Sequence, residues 1–328
     1  GLGIRFDCVG CFSYGNALVT QNRISHYFDL PNKIPRQAEA LCSDKSFLRD
    51  QLRKKGLSVL QELSLSELLS GKQLPREKTY IIKPKCGGSS RGISKVSAER
   101  IQDLVQNGKI HHEVIIQEFA AGTEYRVSAL IQNSAIKFLG LMRKENLDGT
   151  FLTGRLQPVY DYPEWASGMV TKIVSAFHLD DAIMKIDLIK TSNAIEILEI
   201  DFGIAGDYFE TYICPLCYGI DFIELYLDFI LGMAVNPLPK EPLYHCFDYI
   251  YNLTEKTCSV NYNRISTFFE EYLGGARIVE IKQDGEPASF PSSNMDAVCG
   301  ILHNRTDISN HRINKAVGEL LADGACQE

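Results

Sequence analysis

The 328-residue sequence has no uninterrupted apolar run of the roughly 18 residues that a helix needs to cross a bilayer. Its longest greasy stretch, 220–235, is interrupted by Asp221, Glu224 and Asp228 and reads as a buried amphipathic helix. No membrane partner is expected. Basic charge is also in short supply. With 34 Lys and Arg against 41 Asp and Glu, the net charge of -7 offers no footprint for nucleic acid, although a local basic pocket can still take a nucleotide. The ten cysteines are too sparse for a disulfide scaffold, so reduced thiols and a cytoplasmic setting are expected. Two pairs with CxxC spacing, Cys8/Cys11 and Cys214/Cys217, match a zinc-ligand spacing, but the first has strand-like surroundings and buried, inert thiols are the favoured reading. His111 and His112 lie in a polar turn and read as solvated.

The remaining composition, 45% hydrophobic and 23% charged, is that of an ordinary globular chain with room for two or three packed subdomains. Residues 4–12 are expected as a strand and 16–27 as a helix, followed by a break at Pro31 to Pro35, like the tail end of an α/β domain. Ser43 is placed to cap a helix carrying Phe47, Leu48 and Leu52, and Gly56 to stop it after a basic last turn. Strands are expected over 80–83, 93–96, 114–119, 124–131 and 135–141, with Ser97 capping a helix before Gly108. The middle of the chain therefore reads as antiparallel sheet with helices around it.

Three segments carry chemistry. In Lys83-Pro84-Lys85-Cys86-Gly87-Gly88-Ser89-Ser90 a lysine ends an apolar strand just before a glycine-serine loop, which is a way to hold nucleotide phosphates. The lysine precedes the glycines, the reverse of a P-loop, and in a kinase the glycines come well before the lysine. In Gln117-Glu118-Phe119-Ala120-Ala121-Gly122-Thr123-Glu124-Tyr125-Arg126 a strand ends at a glycine turn and restarts with Glu124 and Arg126 on one face. Lys185 and Asp187 alternate on the strand 183–189. On the strand 195–202, alternation puts Ile195, Ile197, Glu199 and Asp201 on one face, with the two carboxylates about 7 Å apart. If the two strands pair antiparallel, Asp187 meets Glu199 and Asp201. Such a cluster is costly to bury without cations and suits Mg²⁺, whereas a solvated strand face is the plainer reading of acids at i and i+2.

In this order the three segments resemble the ATP-grasp superfamily, and Glu199 to Tyr208 with Gly219-Ile220-Asp221 is similar to the carboxylate-amine ligases of the L-amino-acid ligase type. The resemblance implies an α+β ATP-grasp fold, two α+β subdomains clasping ATP, preceded by the remnant of a Rossmann-like pre-ATP-grasp domain. It implies boundaries at 1–42 for the partial N-terminal domain, 43–120 for the subdomain with the glycine flap, 121–236 for the subdomain with the metal site, and 237–328 for a C-terminal α+β part. Lys45 and Lys83 match the lysines that reach the phosphates. Gly87, Gly88, Ser89 and Ser90 match the flap, Gln117, Glu118 and Phe119 the hinge that meets adenine, and Glu124 the acceptor for the ribose hydroxyls. Asp187, Glu199 and Asp201 match the ligands of Mg²⁺ or Mn²⁺. ATP is the implied cofactor, and the implied partners are small-molecule carboxylate and amine substrates, amino acids among them, with a homodimer as a further expectation.

Two positions depart from the pattern. Asp201 stands where an asparagine is usual, and its oxygen can still ligate Mg²⁺. Gly203 stands where these ligases generally carry an arginine, which leaves Lys185, Arg155 and Arg126 as the cations expected to supply charge at the reacting phosphoryl group, with Arg143 as a further candidate. The implied reaction is amide or peptide bond formation through an acyl phosphate, releasing ADP and phosphate. A degenerate nucleotide-binding regulatory module and an ATP-grasp phosphotransferase stay open beside it.

Overall fold

The computed structural model describes residues 5–13, 16–31, 33–39, 41, 45–85, 90–110 and 113–324. Along the chain come helices α1 (Asn16–Phe28), α2 (Arg36–Glu39), α3 (Lys45–Lys54) and α4 (Leu65–Leu69), then strands β1 (Thr79–Pro84) and β2 (Ser94–Ser97), and helix α5 (Ala98–Gln106). Strands β3 (Val114–Glu118), β4 (Thr123–Gln132), β5 (Ala135–Asn146) and β6 (Thr153–Pro158) precede helix α6 (Glu164–Phe177) and strands β7 (Ala182–Lys190) and β8 (Ile195–Phe202). A π-helical turn, Phe209–Ile213, leads into α7 (Cys214–Cys217) and α8 (Phe222–Ile230). The last part contains β9 (Cys246–Ile250), β10 (Cys258–Ser259), α9 (Tyr262–Leu273), β11 (Arg277–Glu280), β12 (Pro287–Ala288), β13 (Cys299–His303) and α10 (Asn310–Gly324).

The chain divides into two compact units, one built from residues 1–62, 120–142 and 159–243 and the other from 63–119, 143–158 and 244–328. In the first, strands run in the order β5-β4-β7-β8, with β4 antiparallel to β7 and β7 antiparallel to β8. Val127, Ala129 and Ile131 of β4, Met184, Ile186 and Leu188 of β7, and Ile200 and Phe202 of β8 bury one face in a single core together with α6 and the Leu48 and Leu52 side of α3. Period-2 alternation makes this possible, because it leaves the residues between them on the other face.

Among the described residues the second unit contains the small antiparallel pair β10-β12 and two larger arrays of strands. The order β2-β1-β3 is antiparallel throughout, and Tyr80, Ile116 and Ile101 of α5 form its small core with Leu68 of α4. Ser97 accepts a hydrogen bond from the Arg100 N–H at the start of α5, the cap that its position predicts. Strands β11-β13-β9-β6 carry α9 and α10 on one face, with Ile250, Val260, Phe269, Ile301, Ile313 and Val317 buried between them.

The N-terminal expectation is corrected. Residues 5–12 form no strand. Their groups are met by side chains instead: the Cys11 N–H donates to the Tyr226 hydroxyl at 2.7 Å, and the Phe12 ring packs edge-on against Phe222 and Tyr226. Ser43, Asp44, His111 and His112 lie outside the described residues.

Candidate functional site

One residue decides what β8 can present. The register pairs Lys185 with Asp201 and Asp187 with Glu199, but Leu188 pairs with Ile197, so Leu198 is an extra residue in a β-bulge. The bulge reverses the alternation. Ile195 and Ile197 turn into the core with Ile200 and Phe202, whereas Glu199 and Asp201 face the opposite side. The expectation that Ile195 and Ile197 share a face with the two acids is thereby corrected, and the cost of mixing isoleucines with carboxylates disappears.

Across the strands this register makes two rows on the face opposite the core, Arg126–Asp187–Glu199 and Ser128–Lys185–Asp201. Arg126 Nε donates to Asp187 at 2.8 Å and its Nη1 to Asp207 at 2.5 Å. Lys185 Nζ lies 2.9 Å from Asp201 and 3.5 Å from Asp187. Arg126, Lys185 and Asp201 are nearly buried, and Glu199, half-buried, forms neither ion pair nor hydrogen bond among the described residues. The Ser128 hydroxyl, also buried, has no partner among the described residues. Among the described residues, the four carboxylates of Asp187, Glu199, Asp201 and Asp207 thus lie about the two cations of Arg126 and Lys185. The electrostatics follow from that arrangement. Burial opposes the charge of Lys185, but Asp187, Glu199 and Asp201 outweigh it and hold the ammonium above its ordinary range. Burial pushes the Asp201 carboxyl up, and Glu199 and Asp187 add to the rise against the pull of Lys185.

The donor chemistry fits Mg²⁺ arriving with a nucleotide. Among the described residues no group of three or more His, Cys, Asp or Glu side chains is spaced to hold a metal ion, and Asp187, expected as a ligand, has both oxygens on Arg126. Mg²⁺ does not require such a cage, since one or two carboxylates and the phosphates normally hold it. Glu199 and Asp201 are the two that would do so. Neither CxxC pair joins a metal group among the described residues.

In the second unit the strand register gathers the nucleotide candidates. Tyr80 and Ile82 of β1 face the core, so Ile81 and Lys83 face the other way, with Gln117 and Ile115 of β3 and Lys95 of β2 beside them. Lys95 was not anticipated; it sits 3.6 Å above the Phe119 ring in a cation-π contact. Glu118 accepts a hydrogen bond from Lys78 at 2.8 Å, and the Phe119 N–H donates to the Thr79 carbonyl. Gly87, Gly88 and Ser89 lie outside the described residues, and Ser90 follows with φ 58°. In the first unit, Lys45 opens α3, and Glu124 is the second residue of β4, on the same face as Arg126. Gly122, just before it, has no alternative: a Cβ there would meet the Lys190 carbonyl oxygen at 2.5 Å.

Arg155 leaves the set of reactive cations. It is 3% exposed, with Nε and Nη2 on the two oxygens of Asp248 at 2.6 and 2.7 Å and Nη2 also on the Ile308 carbonyl. His303 completes the group, since Nδ1 accepts the Arg305 N–H and Nε2–H donates to Asp248 at 3.0 Å. Burial raises the Asp248 carboxyl, but Arg155 and His303 more than offset this and hold it below its usual range. That contribution to stability is therefore complete above the ordinary carboxylate pKa of about 3.9 and is lost as pH falls below it. Asp248→Ala strands a buried guanidinium and is expected to cost about 3–5 kcal/mol in urea unfolding at neutral pH. Arg143 is also paired, with Glu145 at 2.5 Å and Gln157 at 2.6 Å.

The place of the expected arginine is closed. Gly203 has φ +100°, and a Cβ on it would lie 2.7 Å from the Ser13 carbonyl oxygen and 3.2 Å from Leu18 Cδ1.

An antiparallel carboxylate-bearing sheet in one unit and a lysine-before-glycines sheet in the other define an ATP-grasp fold. The chain belongs to the ATP-grasp family, whose domain model matches residues 42–205, half of its length. It is similar in fold to L-amino acid ligase from Bacillus licheniformis, with a TM-score of 0.68 at 18% identity, covering 97% of this chain and 79% of that one. It is also similar to N5-carboxyaminoimidazole synthetase from Staphylococcus aureus complexed with ADP, with a TM-score of 0.65 at 14% identity and coverage of 94% and 79%. Phosphoribosylglycinamide synthetase from Anaerococcus prevotii gives a TM-score of 0.60 at 16% identity, again over 94% and 79%. No curated protein matches the sequence. No helix among the described residues is long and apolar enough to cross a membrane.

Proposed function

We propose that the chain is an ATP-dependent carboxylate-amine ligase that forms an amide or peptide bond through an acyl phosphate. The observation that carries this reading is the paired rows Arg126–Asp187–Glu199 and Lys185–Asp201, which put two cations beside carboxylates that can take a divalent ion. Lys83 and Lys45 hold the ATP phosphates, the backbone at Gln117, Glu118 and Phe119 holds adenine, and Glu124 accepts from the ribose hydroxyls. Glu199 and Asp201 would hold the Mg²⁺ that accompanies ATP, and the ion would supply charge neutralisation at the phosphate oxygens. Lys185 and Arg126 supply the positive charge that Gly203 does not, and both are held by carboxylates before any substrate arrives, which lowers the cost of reorganisation.

The substrate carboxylate oxygen attacks the γ-phosphorus of ATP, ADP leaves, and the acyl phosphate forms. An amine nitrogen then attacks the acyl carbon, phosphate departs with the electron pair, and the amine loses a proton. The chain contributes orientation, charge and exclusion of water, since an acyl phosphate open to water hydrolyses.

Hydroxylamine offered in place of the amine tests this directly. With ATP, Mg²⁺ and a panel of amino acids, the chain is expected to yield a hydroxamate for at least one acid, and Lys83→Ala is expected to lower its rate by roughly 10²-fold. Nucleotide binding with no hydroxamate from any acid overturns the ligase reading in favour of a regulatory module. A stable phosphorylated product overturns it in favour of a phosphotransferase.

A further inference from the structure

Three consecutive residues after the acidic rows are left-handed: Gly206 at φ 73°, Asp207 at 54° and Tyr208 at 61°. Glycine adopts this conformation freely, but aspartate and tyrosine pay about 1 kcal/mol or more each, and such strain persists only where neighbours impose it. Two groups impose it here. Arg126 Nη1 holds the Asp207 carboxylate at 2.5 Å. From the other side Glu210, in the π-helical turn, accepts a short hydrogen bond from the Ala205 N–H.

Glu210 is 4% exposed and has no ion pair among the described residues. A buried carboxylate without a touching cation is costly, and the apolar neighbours Phe209 and Ile213 give no packing reason for one. Its bond to the Ala205 amide does give a reason. It fixes the backbone shortly before Asp207, so that the next residues turn left-handed and deliver the Asp207 carboxylate to Arg126. Arg126 in turn holds both oxygens of Asp187, the register partner of Glu199. The chain Glu210, Ala205–Gly206, Asp207, Arg126, Asp187 is thus continuous, and only its far end belongs to the acidic rows.

We propose that Glu210 is a positioning residue: by binding the Ala205 amide it sets Asp207 on Arg126, and so orients the cation at the acidic rows. Its kinetic consequence rests on the ligase reading, whereas its structural consequence does not.

Hydrogen exchange and turnover separate the two. In Glu210→Ala, peptides covering 203–208 are expected to exchange roughly tenfold faster. The hydroxamate rate with hydroxylamine falls roughly tenfold, while the KM for ATP stays within about twofold. Glu210→Gln keeps an acceptor oxygen and is expected to retain both the exchange protection and most of the rate. If Glu210→Ala does not fold, Glu210→Asp takes its place, because the shorter side chain cannot reach the Ala205 amide, and the same losses are expected. Unchanged exchange in Glu210→Ala overturns the proposal, as does a Gln variant as impaired as the Ala variant, or a KM for ATP that rises in step with the loss of rate. A wild type that forms no hydroxamate sinks the ligase reading alone, and the exchange comparison still decides the role of Glu210.

Discussion

Glu199→Gln lowers ATP turnover by roughly 10²- to 10³-fold and leaves the urea unfolding midpoint near that of the wild type. The size of the first effect follows from the charge arrangement. Asp187 is tied to Arg126 and Asp201 to Lys185, so among the described residues Glu199 is the carboxylate of the rows with no ion pair. As a proposed metal ligand it therefore has least to give up when a metal-nucleotide arrives. The absence of a stability effect follows from the same fact, since an unpaired, half-buried group contributes little to folding. Steady-state ADP release and urea denaturation on the same preparation measure both. A variant that turns over ATP normally removes Glu199 from the site.

Gly203→Arg, which restores the residue usual in related ligases, destabilises the chain by about 2–4 kcal/mol and does not raise turnover. Two physical effects add. Any side chain at φ +100° is strained, and the Cβ itself meets the Ser13 carbonyl oxygen at 2.7 Å, before the rest of the arginine has been placed. The backbone has little freedom to move aside, because the Gly203 N–H donates to the Ile183 carbonyl at 2.7 Å and the Ile204 N–H points to the same Ser13 oxygen. Gly203→Ala therefore accounts for most of the loss, and comparing the two variants by urea unfolding separates the Cβ from the guanidinium. An arginine variant of wild-type stability with faster turnover overturns the proposal that Lys185 and Arg126 supply the charge.

The apolar strands and their alternating charges are legible in the sequence because period-2 patterning is local. Lys185 and Asp187 on β7, and Glu199 and Asp201 on β8, end on one face as the pattern requires. The two isoleucines before Glu199 do not follow it, because the bulge at Leu198 reflects the pairing of β8 with β7 and leaves no mark in a single strand. Arg155 reads as an available cation for a similar reason: its partner Asp248 lies 93 residues away, and only the β6–β9 register brings them together. Lys95 was within reach, since it lies inside the strand expected over 93–96, which forms one residue later over Ser94–Ser97. Asp207 and Glu210 were not, because left-handed backbone at Asp207 and Tyr208 is imposed by contacts rather than preferred by those residues.

The most direct test of ATP-dependent ligation is phosphate release with ATP and Mg²⁺ over a matrix of amino acids and amines, with the products weighed by mass spectrometry. Ligation predicts phosphate and ADP only when an acid and an amine are both present, an amide product of the summed mass less water, and neither in Glu199→Gln. Phosphate release that ignores the amine, or an amide formed equally well by Glu199→Gln, contradicts it.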